Sequence, residues 1–213
     1  MGLLQDSDAA RQWFAFVTPG YDTVVSALFW PDWLQQKGIE HLRIDSTDRI
    51  LDIGCGTGET TRHLLAHVSD VHGLDQSVSQ LQTTADKDEL DDAQFVQADA
   101  HRLPYVDKTF DRIVSIGSIL YWATPADVLR EAYRVTKPGG SILVMGFHRL
   151  PFSAWNPVQN VQEMINSSLF FRYSRDEATQ LFRIAEWRDE DHTITGPKWS
   201  PNLVIATIAR KPA

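Results

Sequence analysis

The strongest chemical signal in this sequence is three glycines spaced by two with a carboxylate ahead of them: Leu51-Asp52-Ile53-Gly54-Cys55-Gly56-Thr57-Gly58. Glycine lets the backbone turn tightly and approach a ligand that side chains would hold away. Free N–H groups at the start of a following helix favour a carboxylate or a phosphate. The spacing is G-x-G-x-G with an acid two residues before the first Gly. Dinucleotide binders use G-x-G-x-x-G instead, which disfavours a nicotinamide oxidoreductase. Two further acids extend the pattern. Gly73-Leu74-Asp75-Gln76 offers a carboxylate able to accept both hydroxyls of a ribose. Gln97-Ala98-Asp99-Ala100 offers a carboxylate beside a backbone N–H, a pair suited to an adenine's amino group and ring nitrogen.

Other residue types invite chemistry beside a bland alternative. Tyr121 and Trp122 follow a strand and suit stacking against an aromatic ring; the alternative is core packing at a strand end. Among the seven His, His101 follows the second acid and His148 ends a strand, so both are candidates for a general base. Cys55 could be read as a nucleophile, but between two glycines its expected role is to be small. His63, His67 and His72 mimic a metal cluster and are read as packing, with no metal expected.

The elements that must position these residues alternate in period. Apolar runs at Arg49–Ile53, Val71–Leu74, Gln94–Ala98, Phe110–Ile116 and Ser141–Phe147 read as strands, and Glu59–Val68 and Thr124–Thr136 between them as helices. Thr124 is the expected N-cap of the second helix, with Pro125 at its first position and Asp127 as the capping-box acid; Lys137-Pro138-Gly139-Gly140 stops it. Strand, helix, strand at this spacing predicts an α/β fold with a parallel sheet covered on both faces. Three strand ends offering a glycine loop and two acids then form one crevice at the sheet's carboxyl edge. Ser174–Glu186 reads as a Ser-capped helix, and Asp191–Thr195 with Asn202–Ala209 as a closing antiparallel pair. The acidic run Asp86–Asp92 reads as a solvated loop.

The 213 residues suit a single domain with a large core. We divide it into an N-terminal helical cap (1–44), a cofactor-binding core (45–148), a lid segment (149–173) and a C-terminal helix with strands (174–213). One Cys excludes an intramolecular disulfide framework. No apolar run approaches the roughly 18 residues of a membrane span, and the N-terminus lacks a signal peptide's pattern, so a cytoplasmic location is expected. The net charge of −8 argues against nucleic-acid binding. Residues 149–213 hold 8 Lys/Arg against 7 Asp/Glu, in contrast to the acidic remainder, which leaves room for peripheral contact with an anionic membrane face. Residues 13–33 and 147–173 hold 13 of the 22 aromatics. Both segments read as amphipathic elements on the sheet or as walls of an apolar pocket. Val158, Val161, Ile165 and Leu169 form a helical stripe, read as core packing or as a lid.

The run LDIGCGTGETT, GLDQS, QADAHRLPYVDKTFD and EAYRVTKPGG, about residues 45–148, resembles class I S-adenosylmethionine-dependent methyltransferases of the type 11 group. That resemblance implies a Rossmann-like three-layer sandwich: a mostly parallel seven-stranded sheet with an antiparallel C-terminal strand and helices on both faces. It implies S-adenosyl-L-methionine as cofactor, with Gly54, Cys55, Gly56 and Gly58 along the methionine part, Asp52 orienting the amino group, and Asp75 with Gln76 at the ribose. Asp99 and Ala100 would hold the adenine, and Ser115 and Gly117 would lie beside the reactive methyl. Phe16 through Tyr21-Asp22, with Trp30 and Trp33, resembles ubiquinone/menaquinone C-methyltransferases. Leu74-Asp75-Gln76-Ser77, Ser115–Ile119 with Tyr121-Trp122, and Gly196-Pro197-Lys198-Trp199 resemble plastid methyl-phytyl-benzoquinol methyltransferases and archaeal relatives. Where those carry an acid before the Tyr-Trp pair, Leu120 stands here. The implied acceptor is a lipid-soluble aromatic quinol methylated on carbon, with Tyr121, Trp122, His148 and His101 as the catalytic candidates and no obligate protein partner. The alternatives are O or N methylation of another small or lipid acceptor, and a non-catalytic cofactor-binding module.

Overall fold

A single sheet gathers the apolar runs. In a computed structural model that describes residues 29–149, 172–198, 200 and 203–213, β1 (Arg49–Ile53), β2 (Asp70–Asp75), β3 (Gln94–Gln97), β4 (Phe110–Ile116) and β5 (Thr136–His148) run parallel. The order is β3-β2-β1-β4-β5-β8-β7, with β7 (Arg188–Thr195) and β8 (Val204–Arg210) completing seven strands. β8 is antiparallel to both neighbours: the connection from β7 is too short for a crossover, so the chain must fold back as a hairpin. β6 (Arg172–Tyr173), an eighth strand of two residues, lies parallel to β5 and was not expected. The sheet is Rossmann-like, and its order reverses between β1 and β4, the place where such sheets open a crevice at their carboxyl ends.

The helices pack around the sheet in groups. α1 (Asp32–Glu40) lies on α2 (Glu59–Leu65) and β5, α3 (Val78–Ala85) on β2 and β3, and α4 (Pro125–Val135) on α5 (Arg175–Ile184). Leu34 and Ile39 of α1 are fully buried, so this part of the N-terminal segment belongs to the same core. The rest of the aromatic-rich stretches, with the stripe Val158 to Leu169 and almost all of the lid segment, lies outside the described residues. Among the described residues no helix is long and apolar enough to cross a membrane.

Two caps behave differently. Ser174 and Glu177 form a reciprocal capping box at the start of α5, with Glu177 Oε2 accepting the Ser174 amide at 2.8 Å. Thr124 occupies the N-cap of α4, but its side chain makes no cap bond and Asp127 pairs with Arg130 instead. The Thr124 amide donates to His101 Nε2, which ties this residue to the neighbouring loop. α4 stops at Val135 as Lys137-Pro138-Gly139-Gly140 requires, yet β5 begins at once. Its pairing with β4 slips between Phe110 and Arg112 to absorb the extra residues.

Trp187 anchors α5 to α4. It is fully buried, stands edge-on to Tyr133 at 5.4 Å, and donates its indole N–H to the Leu129 carbonyl at 3.0 Å. Trp187→Phe deletes that donation and part of the ring volume. We expect a loss of about 1–3 kcal/mol of stability in urea unfolding; an unchanged midpoint would show that this contact carries nothing.

Candidate active site

The glycine loop leaves β1 and is held by its neighbours' peptide groups and side chains. The amides of Gly54 and Cys55 both donate to the Leu74 carbonyl, at 2.7 and 3.0 Å, and the Gly56 amide donates to Asp75 Oδ2 at 2.9 Å. Gly54 has φ +74°, and a Cβ there would lie 2.2 Å from Ser118 Cβ, so neither the backbone nor the space admits a side chain. Ser118 uses this proximity to donate to the Ile53 carbonyl at 2.9 Å, and its hydroxyl meets that of Ser115 at 2.6 Å.

The other side of the loop rests on a stripe of α3. Thr84 donates to the Gly56 carbonyl at 3.0 Å, and Lys87 to the Thr57 carbonyl at 2.9 Å and to Glu59 at 2.8 Å. Ser77, Gln80 and Thr84 are all buried although polar; Ser77 and Thr84 meet backbone groups, whereas Gln80 lines the cleft. The acidic run is therefore no simple solvated loop: Lys87 clamps the glycine loop, and Leu90 is buried against Gly58.

A cleft opens over this loop. Gly54, Gly56, Asp75 and Gln76 line one wall, Asp99, Ala100 and His101 a second, and Gly117, Tyr121 and Trp122 a third. A smaller cavity shares Gly54, Gly56 and Ile116 and adds Cys55, Thr57, Glu59, Thr60, Gln35 and Trp30. Asp52, Gly58, Ser115 and His148 line neither. Asp52 lies sealed beneath the loop and accepts a hydrogen bond from Thr61 Oγ1 at 2.7 Å. Ser115 is fully buried behind Ser118. Gly58 caps α2 against Leu90.

His101 lines the cleft, but both ring nitrogens are engaged. Its Nε2 accepts the Thr124 amide at 3.2 Å, so the ring proton sits on Nδ1 and is given to Asp99 Oδ1 at 2.6 Å. This leaves no free lone pair for a general base; the ring instead positions Asp99, which also accepts the His101 amide. His63 bonds Asp32 and Gln36, and no metal-binding group of His, Cys, Asp and Glu is found among the described residues.

Several lining residues stand within or beside the sequence motifs but were assigned no role there. Gln80, Ser118, Leu74, Ile116, Ala98 and Ala123 complete the large cleft. Gln80 belongs to the spacing 77, 80, 84, 87, which marks one helix face. Trp30 reaches the small cavity because Gln35 holds its carbonyl at 2.7 Å and is itself held by Thr60 at 2.8 Å. The Trp30 indole stacks on Phe147 with ring centroids 5.7 Å apart.

Electrostatics separate the acids. Burial pushes the Asp52 carboxyl up to about 7 despite the Thr61 donor, with Asp75 adding to the rise. Burial also raises Asp75, opposed by amides of Ser77, Gly56 and Gln76. Burial and both acids push the Cys55 thiol well up, which makes it a poor nucleophile and leaves it its role as a small residue.

Residues 51–144 match the family pattern described as a methyltransferase domain. The match identifies that segment as a methyltransferase domain. Over 92% of its length it is 31% identical to the chloroplastic 2-methyl-6-phytyl-1,4-hydroquinone methyltransferase 1 of Oryza sativa subsp. japonica, covering 58% of that protein. It is 27% identical to the demethylmenaquinone methyltransferase of Renibacterium salmoninarum, over 87% of this chain and 80% of that one. The phosphoethanolamine N-methyltransferase 2 of Haemonchus contortus, solved with phosphomonomethylethanolamine and S-adenosylhomocysteine, superposes with a TM-score of 0.79. It covers all of this chain and 61% of its own at 14% identity, a likeness of fold. The chain thus spans less than three fifths of the length of the plant relative.

Asp52 gives the methyltransferase domain a pH signature. An unfolded Asp titrates near 3.9, whereas the folded one titrates near 7. Between about pH 4 and 7 the native chain holds a proton that the unfolded chain has lost, so this group's contribution to stability falls as pH rises through that window and is flat above it. Asp52→Asn keeps an acceptor for Thr61 and removes the titration. Its melting temperature should exceed the wild type's at pH 8 and fall less between pH 5 and 8; parallel curves would refute the assignment.

Proposed function

We propose that this protein transfers a methyl group from S-adenosylmethionine to a ring carbon of a prenylated quinol of the benzoquinol or menaquinol type. The observation that carries this reading is one cleft that joins the glycine loop, Asp75 and the Asp99–Ala100 strand end, within a methyltransferase domain whose quinol-methylating plant relative aligns with 92% of the chain. The demethylmenaquinone methyltransferase likeness supports the same class of acceptor.

The fit to the cofactor rests on atoms of this chain. At Gly56 a Cβ would project into space where nothing stands closer than 3.8 Å, so the loop leaves a cradle. The Asp75 carboxylate has about four acceptor sites, more than the Gly56, Ser77 and Gln76 amides use, which leaves capacity for a ribose hydroxyl. Asp99 and the Ala100 backbone face the same cleft and suit the adenine. When bound, S-adenosylmethionine would supply an electrophilic methyl group for in-line displacement by the quinol carbon, with S-adenosylhomocysteine leaving and the ring proton passing to solvent. The share of this chain is orientation and exclusion of water, with proximity contributing ~7–11 kcal/mol in favourable cases. Tyr121 and Trp122 would stack against the acceptor ring, and an apolar wall would take the prenyl tail, at about 0.8 kcal/mol per buried methylene. An acceptor of that kind is met at a membrane surface, so peripheral contact belongs to the same proposal.

The test combines binding with turnover. S-adenosylhomocysteine should raise the melting temperature by mass action while nicotinamide dinucleotides should not. Asp75→Ala should weaken binding by about 10- to 100-fold in calorimetry, since hydrogen bonds to a charged group contribute about 1.5–3 kcal/mol. Incubation with S-adenosylmethionine and a prenylated quinol should yield a product one methylene heavier by mass spectrometry. Tight binding with no methylation of any quinol would overturn the acceptor assignment and leave the cofactor assignment standing.

A further inference from the structure

Gln80 stands apart among the residues of the nucleotide cleft. It is 2% exposed, lines the cleft, and its Oε1 has no hydrogen-bond partner. A buried amide oxygen without a donor is costly, and native structures seldom keep one. Among the described residues none supplies one. The nearby Thr84 hydroxyl is directed at the Gly56 and Gln80 main-chain carbonyls.

The start of α3 explains how the side chain came to be free. Ser77 and Gln80 have the spacing of a capping box, in which the Gln side chain would turn back to the N-cap amide. Half of that box forms: the Gln80 amide donates to Ser77 Oγ at 3.4 Å. The other half is pre-empted, because the Ser77 amide donates to Asp75 Oδ1 at 2.8 Å. Gln80 is left to face the cleft. Its Oε1 is the nearest atom, at 3.8 Å, to the point where a side chain on Gly56 would begin, and the Gly56 amide is bound to the other oxygen of Asp75. The Gln80 oxygen and the Asp75 carboxylate thus flank the same glycine.

We infer that Gln80 Oε1 is a second acceptor for the ribose hydroxyls, working beside Asp75; this rests on the cofactor assignment above. The adenine amino group is the competing donor. Its wall, however, is built from Asp99 and Ala100 after β3, whereas Gln80 belongs with Asp75 to the turn and helix after β2.

Calorimetry with S-adenosylhomocysteine and its 2′-deoxy and 3′-deoxy analogues tests the contact. Gln80→Met, apolar and of similar length, should bind S-adenosylhomocysteine about three- to tenfold more weakly than the wild type. The same variant should match the wild type on the deoxy analogue that lacks the bonded hydroxyl. Gln80→Leu, of different shape, serves the same comparison where Gln80→Met does not fold. An equal loss on all three ligands would assign Gln80 a structural role and overturn the contact, as would no loss at all. Analogues that both bind the wild type as tightly as the parent overturn it without any variant. A wild-type chain that binds no S-adenosylhomocysteine sinks the cofactor assignment itself; binding with an indifferent Gln80 sinks this contact alone.

Discussion

Bare backbone must be satisfied while the space above it is kept empty, and the arrangement around Gly54–Gly58 follows from that constraint. A buried peptide group without a partner costs about 1–3 kcal/mol, and this loop has few side chains with which to help itself. Partners come from separate elements: the Leu74 carbonyl and Asp75 from β2, Thr84 from α3, Lys87 just beyond it, and Ser118 after β4. Each of these places a further group at the cleft or behind it. The loop thereby fixes the spacing of β2, α3 and the β4 strand end, and the cleft is what they leave between them.

Asp75 shows why the chemistry and the scaffold cannot be separated here. One oxygen holds the loop through Gly56, and the other holds α3 through Ser77. The amides of both segments lower the cost of burying the charge, while burial itself still raises the carboxyl. His101 plays the corresponding part on the opposite wall. It fixes Asp99 from one ring nitrogen and the entry to α4 from the other. In both places a residue near the ligand space is oriented by a backbone amide, a firmer guide than a mobile side chain.

The same distinction sets what was legible in the sequence. Arg49–Ile53 and Phe110–Ile116 form strands with the bounds that their apolar runs mark, since burial of such runs depends on nothing outside them. Asp75 and Asp99 were legible because strand ends in this topology converge on one edge. The stripe Ser77, Gln80, Thr84, Lys87 was not. The amphipathic rule assigns a polar face to solvent, but the surface this face meets is a loop with unsatisfied carbonyls. Leu90 hid for a related reason: five acids from Asp86 to Asp92 outweigh one Leu in composition, yet only the Leu packs under Gly58. The cap of α4 failed in the same way, because a His far off in sequence had claimed the Thr124 amide.

The two halves of the site meet at Gly117. It lines the large cleft, and with φ +81° a Cβ on it would stand 3.0 Å from the Trp30 indole. Any side chain would crowd Trp30, which stacks nearly parallel on Phe147. Gln35 and Thr60 hold the Trp30 carbonyl from the other end, and Thr60 lies on α2, the helix that follows the glycine loop. Trp30 is thus tied at one point to the strand end that borders the cleft and at another to the helix that leaves the loop. A displacement of the loop would therefore reach Trp30 through two contacts at once. Through these links, the polar constraint that orders the glycine loop also sets where Trp30 can stand.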